Sequence, residues 1–180
     1  MVSNLIWVDL EMTGLDVEKD QILEIATLVT DSELKILAEG PNLAIYQSQA
    51  TLDAMDEWNQ THHGKSGLIK RVQESTETLQ TAQEKTLTFL KDFCQPKKSP
   101  LCGNSVWQDR RFIGKYMPLF DQFCHYRIVD VSSIKELVLR WYPTLAPIKK
   151  VESHEALADI RESVIELEYY RQHCFIPRSV

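Results

Sequence analysis

The chain has 180 residues, 43% of them hydrophobic and 26% charged, the composition of an ordinary globular protein large enough for a core of its own. No apolar run approaches the roughly 20 residues that span a bilayer, and Met1-Val2-Ser3-Asn4 lacks the basic start of a secretory leader. The expectation is a single domain over residues 1–180, cytoplasmic and with no membrane partner. A net charge of −6 speaks against a grip on long nucleic acid, which draws affinity from a basic face. It leaves room for an enzyme that contacts few phosphates and meets them with metal ions. Cys94, Cys102, Cys124 and Cys174 are widely spaced with no Cys-x-x-Cys pair, the pattern of reduced thiols rather than of a zinc site.

Leu5-Ile6-Trp7-Val8-Asp9-Leu10-Glu11 reads as a strand, β-branched and aromatic and then alternating. Met12 to Asp16 forms the turn after it. Gln21 to Thr30 is a second strand, a largely apolar run with Glu24 its one charge, as a central strand would be, and Leu34 to Ala38 a third. Short connections make these three an antiparallel meander. After Ser75, Leu79, Leu87, Leu90 and Phe93 give a partial helical spacing, and Pro96 to Pro100 is a loop. Leu101-Cys102-Gly103 is a short strand leading to Asn104-Ser105. Phe112, Ile113 and Tyr116 share one face of a helix starting at or near Asp109, and Pro118 fits the first turn of another. Tyr126 to Val131 reads as a strand. Ser133 with Glu136 suggests a capping box for a helix to Trp141, stopped by Pro143. The last helix runs from Glu155 to His173 with Leu157, Ile160, Val164 and Leu167 on one stripe. The order describes an α/β fold, a mixed sheet with helices on its faces.

Asp9 and Glu11 stand two apart on a strand and so point to one face. Adjacent buried carboxylates repel unless a cation sits between them; alone, the pair fits either a cation site or a solvent-facing edge. Asp109, after a strand and a Gly-Asn-Ser turn, fits either a helix-dipole partner or a further ligand. His154 and Asp159 are five apart, about 140° round a helix. They meet at one site only if His154 precedes the helix or lies on its frayed first turn. A histidine beside a carboxylate–metal centre suits a general base, with an unperturbed pKa near neutrality.

Taken together, Asp9-x-Glu11, Gly103-Asn104-Ser105-x-x-x-Asp109 and His154-x-x-x-x-Asp159 resemble the three motifs of the DEDD superfamily of 3′-to-5′ exonucleases, in its histidine-containing branch. Leu5 to Leu15, Ile25 to Asp31, Cys102 to Ser105, Gln108 to Phe112 and Asp159 to Ser163 match the branch that cuts very short RNA, so the resemblance covers nearly the whole chain. Each motif is weak alone; three in order are strong. The resemblance implies a ribonuclease H-like mixed β-sheet flanked by α-helices, a homodimer, and hydrolysis of short single-stranded RNA, dinucleotides in particular, to 5′-mononucleotides. It also implies two divalent cations, Mg²⁺ or Mn²⁺, held by Asp9, Glu11, Asp109 and Asp159 with Asp9 bridging, and His154 as general base. Oxygen-only ligands agree with hard cations.

The same resemblance makes Leu15 and Trp58 a pair that wedges the bases; plain core packing is the other account of Trp58. The resemblance further implies that Tyr126 and Arg127 reach across the dimer to cap the far end of the substrate, with Ser105 and Ser132 as hydroxyls available to a phosphate. His62 and His63 read as polar loop residues near the cleft rather than metal ligands. Two other readings use the same residues. A DNA-end proofreading or repair exonuclease shares the acids but calls for a partner-binding tail or basic track, and neither is visible. A catalytically inactive RNA-binding module on this fold would be expected to have lost an acid, and all four are present.

Overall fold

Strand β1 (Leu5–Met12) is the organising element, because its two faces bury different things. The computed structural model describes residues 3–148 and 155–176. Ile6, Val8 and Leu10 point into one core with Ile22, Ile25 and Val29 of β2 (Ile22–Thr30). That core is closed by Leu87 and Leu90 of α4 (Leu79–Phe93), Phe112 and Ile113 of α5 (Val106–Tyr116) and Phe120 of α6 (Pro118–Phe123). Trp7 points the other way, into a core with Val131 and Val138 of α7 (Val131–Trp141) and Ile160, Val164 and Leu167 of α8 (Ala156–Cys174). The indole N–H of Trp7 donates to Thr30 Oγ1 at 3.0 Å, so the largest fully buried side chain leaves no polar group unmet. Period-two alternation then sends Asp9 and Glu11 out on the Trp7 face, toward α8.

The sheet has five strands in the order β3-β2-β1-β4-β5, with β3 (Ile36–Ala44), β4 (Leu101–Gly103) and β5 (Ile128–Asp130). The first three pair antiparallel, as the short connections require; β1–β4 and β4–β5 pair parallel. The expected mixed α/β architecture is therefore present. Because β4 ends at Gly103, one residue past the Trp7–Cys102 pair, the last residues of β1 run past it. That exposes the carboxyl end of β1 beside a strand-to-helix turn, where ligands sit in open α/β sheets.

Several expected boundaries move. The third strand runs to Ala44 rather than stopping at Ala38, because β3 is an edge strand and tolerates Pro41. The helix expected near Asp109 begins at Val106, after Ser105 in the left-handed region (φ 51°), which puts Asp109 within its first turn. The strand expected over 126–131 covers only Ile128–Asp130, since Asp130 turns to cap α7 by accepting the Ser132 N–H at 2.9 Å. The capping box at Ser133 is thus not formed. Three helices were not foreseen: α1 (Gln49–Asp53), α2 (Glu57–Lys65) and α3 (Leu68–Glu74). They pack Leu52, Met55, Leu68 and Val72 around Leu23 of β2. Trp58 is the one large apolar residue in α2, so no periodic stripe marks it.

Candidate active site

The acidic centre forms where the Trp7 face of β1 meets the first turn of α8. Asp9, Glu11 and Asp159 each place a carboxylate oxygen within 4.8 Å of the others, close enough to hold one metal ion. Ala156 and Ile160 anchor the start of α8 on the sheet, which brings Asp159 to the strand. Asp109 approaches from α5. Its Oδ1 accepts the backbone N–H of Leu10 at 3.0 Å, a group that β4 is too short to satisfy. Gly103 permits that closeness, since a Cβ there would lie 2.9 Å from the Val8 carbonyl oxygen.

Electrostatics follow from this crowding. Burial, then the charges of Asp109, Glu11 and Asp159, push the Asp9 carboxyl well above the usual carboxylate range. Burial and the Asp159 charge raise Glu11 to about 8. Asp109 is also raised, mainly by burial, against the stabilising Leu10 N–H. Carboxylates that resist ionisation beside one another are a donor set that a divalent cation would relieve, and all the donors are hard oxygens.

Three further residues stand at this centre. Glu24 lies directly opposite Glu11 in the β1–β2 register, is fully buried, and is paired with Arg71 of α3. His63 is buried on α2, with Nε2 2.9 Å from the Met12 carbonyl oxygen and Nδ1 3.8 Å from Glu11 Oε2. The carbonyl can only accept, so Nε2 carries the proton and burial holds the ring neutral. His62 and His63 are therefore helical rather than loop residues. Glu24 was visible in sequence as the lone charge in β2, but its partner belongs to a helix with no sequence signal.

The expected substrate residues lie on several elements. Leu15, in the β1–β2 connection, is 67% exposed, and its carbonyl accepts from Gln108 Nε2 of α5 at 2.6 Å. Trp58 is 61% exposed and stacks on His62 at 3.8 Å, so core packing does not account for it. Ser105 and Ser132 do come together, their hydroxyl oxygens 3.2 Å apart, with Ser132 donating to Asn104 Oδ1 at 3.0 Å. Tyr126 is 74% exposed just before β5, with the Arg127 guanidinium 5.2 Å from its ring centre. His154 lies outside the described residues; α8 starts at Ala156 with Glu155 at its N-cap.

Residues 6–167 match the family model described as Exonuclease. Exonuclease I from Methylocaldum szegediense superposes on this chain with a TM-score of 0.71 at 16% identity over 96% of this chain. The zinc-bound form of the E. coli exonuclease I complex with single-stranded DNA gives 0.75 at 12% over 97%. This chain spans 41% of the length of each of those proteins, and the likeness establishes the shared fold. The protein is thus a nuclease hydrolase of the exonuclease class. Oligoribonuclease of Hydrogenovibrio crunogenus is 59% identical over 97% of this chain and 96% of its own length. That of Shewanella loihica is 58% identical over 96% of both, and the mitochondrial oligoribonuclease of Homo sapiens 56% over 97% of this chain and 75% of its own. The chain belongs to the oligoribonuclease family.

Proposed function

We propose that this chain, read over residues 1–180 as one exonuclease domain, removes 5′-mononucleotides from the 3′ end of very short RNA, dinucleotides in particular. The observation that carries the reading is the Asp9–Glu11–Asp159 cluster at the carboxyl end of β1, in a chain so similar to oligoribonucleases. Asp9, Glu11, Asp159 and Asp109 would hold two divalent cations, Mg²⁺ or Mn²⁺, which supply a more acidic attacking water and offset charge on the scissile phosphate. His154 accepts the proton of the attacking water. A P–O bond forms to that water, the bond to the 3′-oxygen of the preceding nucleotide breaks, and that oxygen takes up a proton.

Leu15 and Trp58 offer flat apolar surface to the bases, and their exposure suits that role. The Ser105 and Ser132 hydroxyls would turn to donate to a phosphate oxygen when substrate binds, Ser132 leaving its present acceptor Asn104 Oδ1. Tyr126 and Arg127 cap the far end of the substrate from a second copy of the chain. The exposed apolar side chains Trp107, Tyr126, Leu137 and Trp141 offer surface that a homodimer would cover. Among the described residues no helix is long and apolar enough to cross a membrane; a cytoplasmic location is part of the proposal.

The test is cleavage of end-labelled RNAs from the dinucleotide upward, with Mg²⁺ or Mn²⁺ and with EDTA, beside a long single-stranded DNA. Metal-dependent turnover that is fastest on the shortest RNA supports the reading. Preference for the DNA would make it a DNA-end exonuclease, and binding without cleavage an inactive RNA-binding module.

A further inference from the structure

Glu24 and Arg71 take no part in the chemistry above, yet they abut its centre. Glu24 is the only charged residue of β2 and is fully buried. An apolar residue would serve a buried strand better, because a buried ion pair seldom repays its lost hydration. Both terminal nitrogens of partly exposed Arg71 donate to the two Glu24 oxygens, the second at 3.4 Å. Glu24 and Glu11 are direct cross-strand partners in an antiparallel pair, so both carboxylates face the same side. Arg71 therefore stands beside two glutamates, one a proposed cation ligand and the other not. Its positive charge already acts on the Glu11 carboxyl. A guanidinium fork pairs readily with any carboxylate it can reach.

We propose that Glu24 is a positioning residue that occupies Arg71 and so leaves Glu11 free to ligate a cation. This rests on the cation reading above. Without Glu24, Arg71 turns to Glu11, and a cation must displace it to bind. Without both, Glu11 is again free.

The experiment is calorimetric titration of the full chain with Mn²⁺. Glu24→Gln is expected to weaken binding by about tenfold or more, as an uncompensated cation beside a ligand should. Arg71→Met alone should not weaken it. The Glu24→Gln/Arg71→Met double variant should return to within about threefold of wild type, since the competing cation is gone. If Glu24→Gln does not fold, Glu24→Met, apolar like its strand, should show the same loss and the same rescue. A merely structural pair would lower Tm in these variants and leave the Mn²⁺ affinity unchanged. Unchanged affinity in Glu24→Gln or Glu24→Met, or no recovery in the double variant, overturns the role of Glu24. No Mn²⁺ binding by the wild type overturns the cation reading itself, and this inference with it.

Discussion

Asp9, Glu11 and Asp159 repel one another when no cation is bound, and this governs what single substitutions do. Asp9→Ala and Asp109→Asn should each abolish cleavage at saturating Mg²⁺. Asp9→Ala should hold or raise the Tm of the metal-free protein, because a like charge is removed. Asp109→Asn is chosen over Ala because an amide oxygen still accepts the Leu10 N–H. Near-normal turnover in either variant would sink the assignment of the acids. His154→Ala should lower turnover by roughly 10²–10⁴-fold, the usual range for a general base, with Mn²⁺ affinity nearly unchanged; a large loss of affinity would make it a ligand instead. The pH dependence has a definite sign. Glu11 has its folded-state pKa raised from 4.5 to about 8, so its contribution is fully present below the lower value and is lost as pH rises through the higher one. The metal-free protein should therefore melt lower at pH 8 than at pH 5, by about 2–4 °C for each kcal/mol lost, and Mg²⁺ should restore Tm most at pH 8. A metal-free melting curve flat across that window would contradict the crowded-acid description.

At the scale of elements, β4 and the turn after it set the distance between Asp9 and Asp109. Gly103→Ala would press a methyl within 2.9 Å of the Val8 carbonyl, forcing β1 and β4 apart. Overpacking of this kind costs about 1–3 kcal/mol, read as a lower urea midpoint, and activity should fall further because Asp109 moves with α5. Gly64→Ala on α2 is the control. Its nearest neighbour would be 3.9 Å away, and alanine in a helix is favoured over glycine by up to about 1 kcal/mol. Equal effects at the two glycines would remove the steric argument. The long elements were legible in sequence because they carry enough apolar positions to show a pattern: β1, β2 and α8 lie within a few residues of expectation, and α4 fills the stretch after Ser75 where a partial helical spacing stood. The short helices α1 to α3 were not, since five to nine residues carry too few apolar positions to show a period. The start of α5 was misplaced because a left-handed serine, unlike glycine, gives no warning in sequence.

For the whole molecule, a net charge of −6 offers an RNA polyanion no long-range attraction, so under the proposed function its affinity has to come from a few close contacts. Arg127→Ala should weaken binding of a 5′-phosphorylated dinucleotide much more than of its unphosphorylated counterpart, because a charge-assisted arginine–phosphate contact is lost. If the cap comes from the other protomer, mixing Arg127→Ala chains with Asp109→Asn chains should restore partial activity, since some mixed dimers pair an intact cap with an intact metal centre. No recovery after confirmed subunit exchange would place cap and acids in one chain or remove the cap from the reaction. The sequence by itself determined the α/β class and the antiparallel start of the sheet and marked the four acids as candidates, because strand alternation and the ordered motifs are local or linear properties. Only the tertiary structure decided that Asp109 bonds the end of β1, that Ser105 and Ser132 meet, and that Glu24, Arg71 and His63 stand beside Glu11. Those contacts join residues far apart in the chain, and they depend on where β4 stops and on how three short helices pack, which no local pattern encodes.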